Sequence, residues 1–333
     1  MRPKLSEIAL QADVSEATVS RVLNAKPGVA NTTRRRVLDV LSDLGYSDDT
    51  RRRSRTGAIG IVTPELSNPI FPHLAQSIES VLAHHGYLSL VCSSTAETVH
   101  EQDFLTYLAD QGASGVVVIN GRYAMPGVGY ESYQELVDRG VPVVLVNGFA
   151  GQPPLPSVAV DTRAAAAHAV RHLGTLGHER IGLVVGPSRY AAANDFVSGY
   201  RDALIDLDFG YDPTFISETP WTLEGGQAGA AQLLEQGVTG IVCGNDIMAI
   251  GVISAAQAWG ASVPEDVSVI GFDGSPLARR TDPPLTTLRQ PTAQMATAVA
   301  SLLVGDQAGS PHVPTQRFRA ELVIGRSTGR PPS

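Results

Sequence analysis

Cysteine is nearly absent from this chain: Cys92 and Cys243 are the two in 333 residues. Neither stands in CxxC or Cys/His spacing, so a disulfide framework and a thiolate metal site are excluded, and their apolar, strand-like contexts predict buried core thiols. Long hydrophobic runs are missing as well. No stretch approaches the roughly 20 apolar residues of a membrane span, and MRPKLSEIAL lacks an apolar signal core, which points to a cytoplasmic protein with no membrane partner. The usual signatures of enzymes are also lacking. GGQAG near Gly225 fits neither GxxxxGK(S/T) nor GxGxxG, and no GxSxG elbow occurs. HAVRH lacks the Glu of HExxH and a third ligand, so His168 and His172 are expected to be paired surface histidines. Carboxylates are plentiful but belong to helix starts and solvated faces, which nominates no acid/base pair. No catalytic residue, no metal and no cofactor is expected, and the chain is not read as an enzyme.

What the chain does have is length and apolar content: 333 residues at 43% hydrophobic exceed one ordinary domain and suit a globular protein with sizeable cores. A net charge of -8 would ordinarily argue against a nucleic-acid partner. The charge is unevenly divided, however. Residues 1–56 hold 11 Lys+Arg and 7 Asp+Glu, a balance of +4, which leaves -12 for the rest. Arg34, Arg35, Arg36 and the run Arg51, Arg52, Arg53 and Arg55 give that segment the local density that counterion release requires.

Residues 5–24, LSEIALQADVSEATVSRVLN, read as two short helices joined by a tight turn. Leu5, Ile8, Ala9 and Ala12 recur at helical spacing as a buried stripe. Asp13 tolerates the left-handed conformation a tight turn needs, and Ser15 is placed to cap the second helix with Glu16 near its positive end. There Val19, Val22 and Leu23 face inward, while Glu16, Ala17, Ser20, Arg21 and Asn24 form an outward strip of small and hydrogen-bonding side chains. A helix seated in a DNA major groove requires such a strip. A third helix is expected from about Asn31 or Thr32, with Val37, Leu38, Leu41 and Leu44 as its stripe and Gly45 as its stop. Periodicity alone would equally suit any small three-helix domain. The residue identities go further: VSEATVSRVLN followed by VANTTRRRVLDVLSDLGY resembles the DNA-binding headpiece of the LacI/GalR family of bacterial transcription regulators, with Asp13 where a Gly is usual. The resemblance implies that Ser15, Thr18, Ser20, Asn24 and Thr33 contact the DNA backbone and that Glu16, Ala17 and Arg21 sit against base edges.

The linker departs from that family. Members commonly follow Gly-Tyr with Pro-Asn and an Ala-x-x-Leu hinge helix whose Leu wedges into the minor groove. SDDTRRRSRTG after Tyr46 is shorter and holds neither Pro-Asn nor Leu. A leucine wedge is therefore not expected. Arg52 and Arg53 are instead expected to follow phosphates or enter a narrow minor groove, with a solvated basic linker as the equal alternative.

From Ala58 onward short apolar runs alternate with amphipathic stretches, the pattern of a parallel sheet covered on both faces. AIGIVTP, LSLVCSS, GVVVIN and VPVVLVN open one series; SVAVD, RIGLVVG, FISE, GIVCGN and VSVIGFD make a second. A late helix near Thr292 to Val304 and AELVI suggest that the chain crosses back between the halves. Ligands of such sheets bind beyond the carboxyl ends of strands. The tails there are Ser67-Asn68-Pro69, Ser93-Ser94, Asn120, Asn147, Asp161, Asn245-Asp246 and Asp273, with Trp221 after FISETP. Donor-acceptor side chains beside a flat aromatic suit a cleft for a small polar molecule. Taken singly, each Asn or Asp is better explained as a cap for the next helix.

This remainder resembles the effector-binding core of the same family, itself similar to periplasmic sugar-binding proteins. IGIVTPELSNPIF, GHERIGLVVG, CGNDIMAIG, VPEDVSVIGFDG and DPPLTTLRQP carry the likeness. The resemblance implies hinge-side ligand contacts at Asn245 and Asp273, stacking by Trp221, and a lining that includes Ser67, Phe71, Asn147 and Asp161. Many members carry an effector-clamping Arg three residues before the Gly-Tyr of the third-quarter helix. This chain has Phe196 there, so a clamp for a carboxylate or a vicinal diol is missing, which points away from an ordinary sugar.

The expected architecture is thus an N-terminal all-α helix-turn-helix headpiece (1–46), a basic hinge (47–57), and an α/β periplasmic-binding-protein-like core of two doubly wound parallel-sheet subdomains (58–160 with 291–318, and 161–290 with 319–333). The expected function is a ligand-responsive transcriptional regulator, a repressor, bound to double-stranded, pseudo-palindromic operator DNA as a homodimer. Its effector would be a sugar or another polar metabolite. One recognition helix reads few base pairs, which favours two heads on a two-fold axis. The absence of a C-terminal leucine heptad favours a dimer over a tetramer. The alternative from another class is a solute-binding protein or sugar-handling enzyme with an incidental helical domain.

Overall fold

The computed structural model describes residues 5–23, 29–43, 57–94, 100–149, 151–305 and 315–332. Asn24, Arg52 and Arg53, expected at the DNA, lie outside the described residues, as does the hinge up to Thr56.

The head is three helices, α1 (Leu5–Gln11), α2 (Glu16–Leu23) and α3 (Asn31–Asp43). Ile8, Ala9, Ala12, Val19, Val22, Val37 and Leu41 close its core. Apolar side chains three and four apart leave each helix on one side, and burying that side is what holds so short a domain together. Leu5, expected in the stripe, is exposed, because it opens α1 at the end of the packed face. Asp13 adopts φ 50°, the left-handed turn conformation expected of it.

Beyond the head the chain alternates through β1 (Gly57–Thr63), α4 (Ile70–His84), β2 (Tyr87–Ser93), α5 (Glu101–Asp110), β3 (Gly115–Ile119), α6 (Glu131–Asp138) and β4 (Val143–Val146), which passes to β5 (Ser157–Val160) without a helix between. A second series follows: α7 (Thr162–Leu176), β6 (Ile181–Val185), α8 (Ala191–Asp206), β7 (Ile216–Glu218), α9 (Leu223–Glu235), β8 (Gly240–Cys243), α10 (Asp246–Trp259), β9 (Ser268–Asp273) and β10 (Thr286–Arg289). The chain ends with α11 (Thr292–Val304), β11 (Gln316–Phe318) and β12 (Glu321–Val323).

Two six-stranded sheets result, in orders β11-β5-β4-β3-β1-β2 and β12-β10-β9-β8-β6-β7. The first is parallel throughout; the second is parallel except at its edge, where β12 runs against β10. Every residue of β3, β4, β5, β6, β8 and β9 is buried, whereas the edge strands β2 and β12 are partly open. Continuous runs such as GVVVI follow from having helices on both faces. In the first half α4 and α11 pack on one face around Leu74, Ile78, Met295 and Val299, and Leu105, Leu108, Tyr133 and Leu136 of α5 and α6 contribute to the core on the other. In the second half α7 and α8 contribute Val170, Leu173, Phe196 and Tyr200, and α9 and α10 contribute Leu233, Met248 and Val252.

The chain crosses between the sheets after β5, between β10 and α11, and between β11 and β12, so each half is completed by segments distant in sequence. The final crossing is anchored by His178, which the sequence reading passed over. Its fully buried ring lies 2.9 Å from Thr239 Oγ1, 3.0 Å from Ser268 Oγ and 3.0 Å from the Gly329 carbonyl. His168 is exposed as expected and His172 half-buried. Cys243 is buried, but Cys92, expected in the core, is only half-buried because it lies on edge strand β2.

Candidate functional site

The carboxyl ends of the parallel strands in both halves open on a single cleft of about 410 Å³. From the first half come Glu65, Asn68, Phe71, Ser94, Asn120 and Asn147; from the second, Tyr190, Phe196, Trp221, Thr222, Asn245, Phe272 and Asp273, with Gln290 from the crossing segment. Of the expected cleft residues, Phe71, Asn147, Phe196, Trp221, Asn245 and Asp273 are therefore brought together.

Ser67 and Asp161 are not in the lining. Ser67 is exposed and donates its hydroxyl to Glu65 Oε2 at 2.7 Å. Asp161 caps α7 instead, accepting from the Ala164 amide at 2.9 Å, which is the helix-cap role open to any strand-end carboxylate. Tyr190, Phe272 and Gln290 line the cleft without having been expected there. Gln290 follows β10, a four-residue strand whose two threonines and terminal arginine present no continuous apolar run, so the sequence does not mark it as a strand end.

The cleft floor is a chain of amides and a carboxylate. Asn147, in a left-handed conformation (φ 59°), accepts from the Val160 amide at 2.9 Å and donates from Nδ2 to Gln290 Oε1 at 3.3 Å. Gln290 passes the connection on, donating from Nε2 to Asp273 Oδ1 at 2.8 Å. Asn68 also hydrogen-bonds the Asp273 side chain. Asp273 is 5% exposed, and burial together with the neighbouring Asp246 carboxylate pushes its carboxyl well above the usual range. Asp246 is itself buried at the start of α10, with Oδ1 accepting from Thr287 Oγ1 at 2.5 Å and Oδ2 from the Ser275 amide at 2.6 Å. Burial raises its carboxyl to about 6 despite those donors. Two adjacent buried carboxylates thus favour holding a proton at the hinge between the halves.

Aromatic rings make much of the wall on the side of the second half. Phe196 meets Phe272 edge to face, with centroids 5.2 Å apart and planes at 87°. Trp221 lies over the ends of β6 and β8: a Cβ at Gly186 or Gly244 would overlap its ring, so the two glycines make the seat on which the indole rests. Its backbone carbonyl is held by Asn245 Nδ2 at 3.4 Å, while Asn245 Oδ1 caps α10 through the Met248 amide at 2.7 Å. Asn245 therefore does both things the sequence suggested, capping a helix and facing the cleft.

In the head, Ser15 Oγ accepts from the Thr18 amide at 3.2 Å and lies 2.9 Å from Thr18 Oγ1, the expected cap of α2. Ser15, Glu16, Ala17 and Arg21 are exposed and Thr18, Ser20 and Thr33 half-buried, while Val19 and Val22 are fully buried. The outward strip of α2 is thus short side chains with one guanidinium in its last turn.

Among the described residues no cluster of His, Cys, Asp and Glu is arranged to hold a metal ion, and no helix is long and apolar enough to cross a membrane.

A three-helix head with an Arg-bearing outward helix, carried by two α/β halves around a polar and aromatic cleft, is the build of a helix-turn-helix transcriptional regulator. Residues 4–49 match the model of bacterial regulatory proteins of the lacI family, and residues 170–328 match that of the periplasmic binding protein-like domain. The chain belongs to the lacI family. It is 43% identical to the HTH-type transcriptional regulator MalR of Streptomyces coelicolor, covering 100% of this chain and 98% of that one. It is 45% identical to an uncharacterized HTH-type transcriptional regulator in the aml 5' region of Streptomyces limosus, over 98% of this chain and 95% of that one. The HTH-type transcriptional repressor CytR of Escherichia coli is 33% identical over 97% and 96% of the two chains. Among solved structures, a complex of the transcriptional regulator CelR with cellobiose superposes with a TM-score of 0.71 at 26% identity, over 98% and 100%. A lacI-family regulator from Enterococcus faecium with bound ribose gives a TM-score of 0.72 at 26% identity, over 82% and 98%.

Proposed function

We propose that this chain is a cytoplasmic repressor without catalytic activity that binds a pseudo-palindromic operator as a homodimer and is controlled by a small polar effector in the cleft. The division of labour follows the chain: a reading head over residues 1–46, a basic linker over 47–57, and two subdomains over 58–160 with 291–318 and over 161–290 with 319–333. Ser15, Thr18, Ser20, Asn24 and Thr33 hold the DNA backbone, Glu16, Ala17 and Arg21 face base edges, and Arg52 and Arg53 add charge at the phosphates.

The observation that carries the reading is the hydrogen-bonded line Asn147–Gln290–Asp273, which ties the two halves together on the floor of the same cleft that a ligand would fill. A molecule bonded to both walls favours one angle between the halves, and it shifts the equilibrium by the difference in its affinity for the two arrangements. The similar regulators that carry cellobiose and ribose support a small polar effector for this chain. Dimer formation is supported by the exposed apolar edge at β2, where Leu88, Leu90 and Val91 are each more than two-fifths exposed.

Selection of binding sites from random duplexes by the full chain, followed by affinity measurements at several salt concentrations, tests this reading. Enrichment of a two-fold symmetric site with affinity that falls as salt rises is the expected result. Failure to enrich any site at low ionic strength contradicts it.

A further inference from the structure

We propose that the cleft is selective for an uncharged saccharide of two linked rings and rejects sugar phosphates and sugar acids; this rests on reading the cleft as the effector site.

The first argument is charge. Among the described residues lining the cleft there is no Lys, Arg or His, and the carboxylic acids there are Glu65 and Asp273. Of the Arg side chains adjacent in sequence to lining residues, Arg163 is paired with Asp202 at 2.5 Å, while Arg189 lies exposed over the ring of Tyr190 at the edge of the cleft, 5.1 Å from its centroid. An anion entering the cleft would lose its water without gaining a cation among the lining residues. Phe196 sharpens the point. It is packed edge to face on Phe272, so no guanidinium is there for a carboxylate or for a vicinal diol, and a neutral sugar is left to be held by the amides.

The second argument is the pairing of surfaces. Asn68, Asn120, Asn147, Asn245 and Gln290 each carry both a donor and an acceptor, which matches hydroxyl groups that also do both. Facing them, the half-buried rings of Phe71 from one half and Trp221 from the other offer flat apolar area for the C–H faces of a pyranose. Aromatic surface on both walls and a volume of about 410 Å³ leave more room than a single sugar ring fills.

Calorimetry on the full chain decides this. The neutral disaccharides maltose, cellobiose, trehalose, sucrose, lactose and melibiose are titrated beside glucose, glucose 6-phosphate, trehalose 6-phosphate and glucuronate. The expected result is that at least one neutral disaccharide binds with Kd below about 1 mM, and about tenfold or more tighter than glucose and every anion. Binding of any anion as tightly as the best neutral sugar overturns the charge argument, and tighter binding of glucose overturns the size argument, both with the cleft reading intact. No binding by any member overturns this inference and leaves the cleft reading, which requires only a small polar effector, intact. Phe196→Arg is expected to narrow the gap between trehalose and trehalose 6-phosphate by about tenfold or more. Should its thermal transition fall well below that of the parent, Phe71→Arg on the opposite wall replaces it. An unchanged gap in the folded variant counts against the charge argument.

Discussion

Gln290 holds Asp273 twice: its side-chain Nε2 donates to Oδ1 at 2.8 Å and its backbone amide donates to the Asp273 carbonyl at 3.1 Å. The first bond lies in the cleft floor and the second in the segment by which the chain leaves one half for the other. A side chain that faces the cleft is thus attached to the backbone that crosses between the halves. With Asn147 on its other end, Gln290 makes cleft and hinge one hydrogen-bonded unit.

Removing that unit has a measurable cost. Gln290→Ala leaves a buried carboxyl and a buried amide each short of a partner, and is expected to lower unfolding free energy by about 1–3 kcal/mol. Urea denaturation of the full chain checks this, and an unchanged midpoint contradicts it.

The buried pair Asp246 and Asp273 sets a pH dependence. The folded Asp246 carboxyl keeps its proton up to about pH 6, above its ordinary value of 3.8, so folding takes up a proton between those limits. The contribution of this group to stability is therefore present below the ordinary carboxylate range and is lost as pH rises through about 6. Asp246→Asn does not titrate. The parent's stability relative to Asp246→Asn is expected to fall as pH goes from 4 to 7 and then to level. A difference independent of pH would contradict the assignment.

Trp221 stacks on the ends of two strands, where a ligand would find its only indole wall among the described residues. Trp221→Ala is expected to weaken effector affinity by about tenfold or more while leaving operator affinity without effector within about threefold. Calorimetry and fluorescence anisotropy measure the two quantities separately, and normal effector affinity would remove Trp221 from the site.

Arg21 is exposed in the last turn of α2, beside Ala17 and Glu16. Arg21→Ala is expected to reduce affinity for the selected site by about 1–3 kcal/mol and to relax preference at one position of each half-site. A uniform loss across all sequences would make Arg21 a phosphate contact instead.

Much of this was legible beforehand, for reasons that differ by element. Central strands such as GVVVI and RIGLVV announce themselves because burial on both faces leaves no room for polar residues. The cap at Ser15 and the turn at Asp13 follow from side-chain chemistry alone. The edge strand β11 carries no such pattern, and β10, although paired on both sides, is a four-residue strand with two threonines and an arginine that presents no continuous apolar run, so neither it nor Gln290 beyond it stands out. Asp161 and Asn245 show the limit of the strand-end argument. Both cap a helix, and their sequence surroundings do not reveal that only the second also faces the cleft. His178 and Asp246 are further cases of polar side chains whose partners come from segments far along the chain.

The central claim is that occupancy of the cleft sets the grip of the head on DNA. Its most direct test is the anisotropy of a labelled, selected operator bound by the full chain, recorded with and without a saturating concentration of whichever neutral disaccharide calorimetry shows to bind. The account predicts a change in operator Kd of about fivefold or more. An identical Kd with the cleft demonstrably full would contradict it.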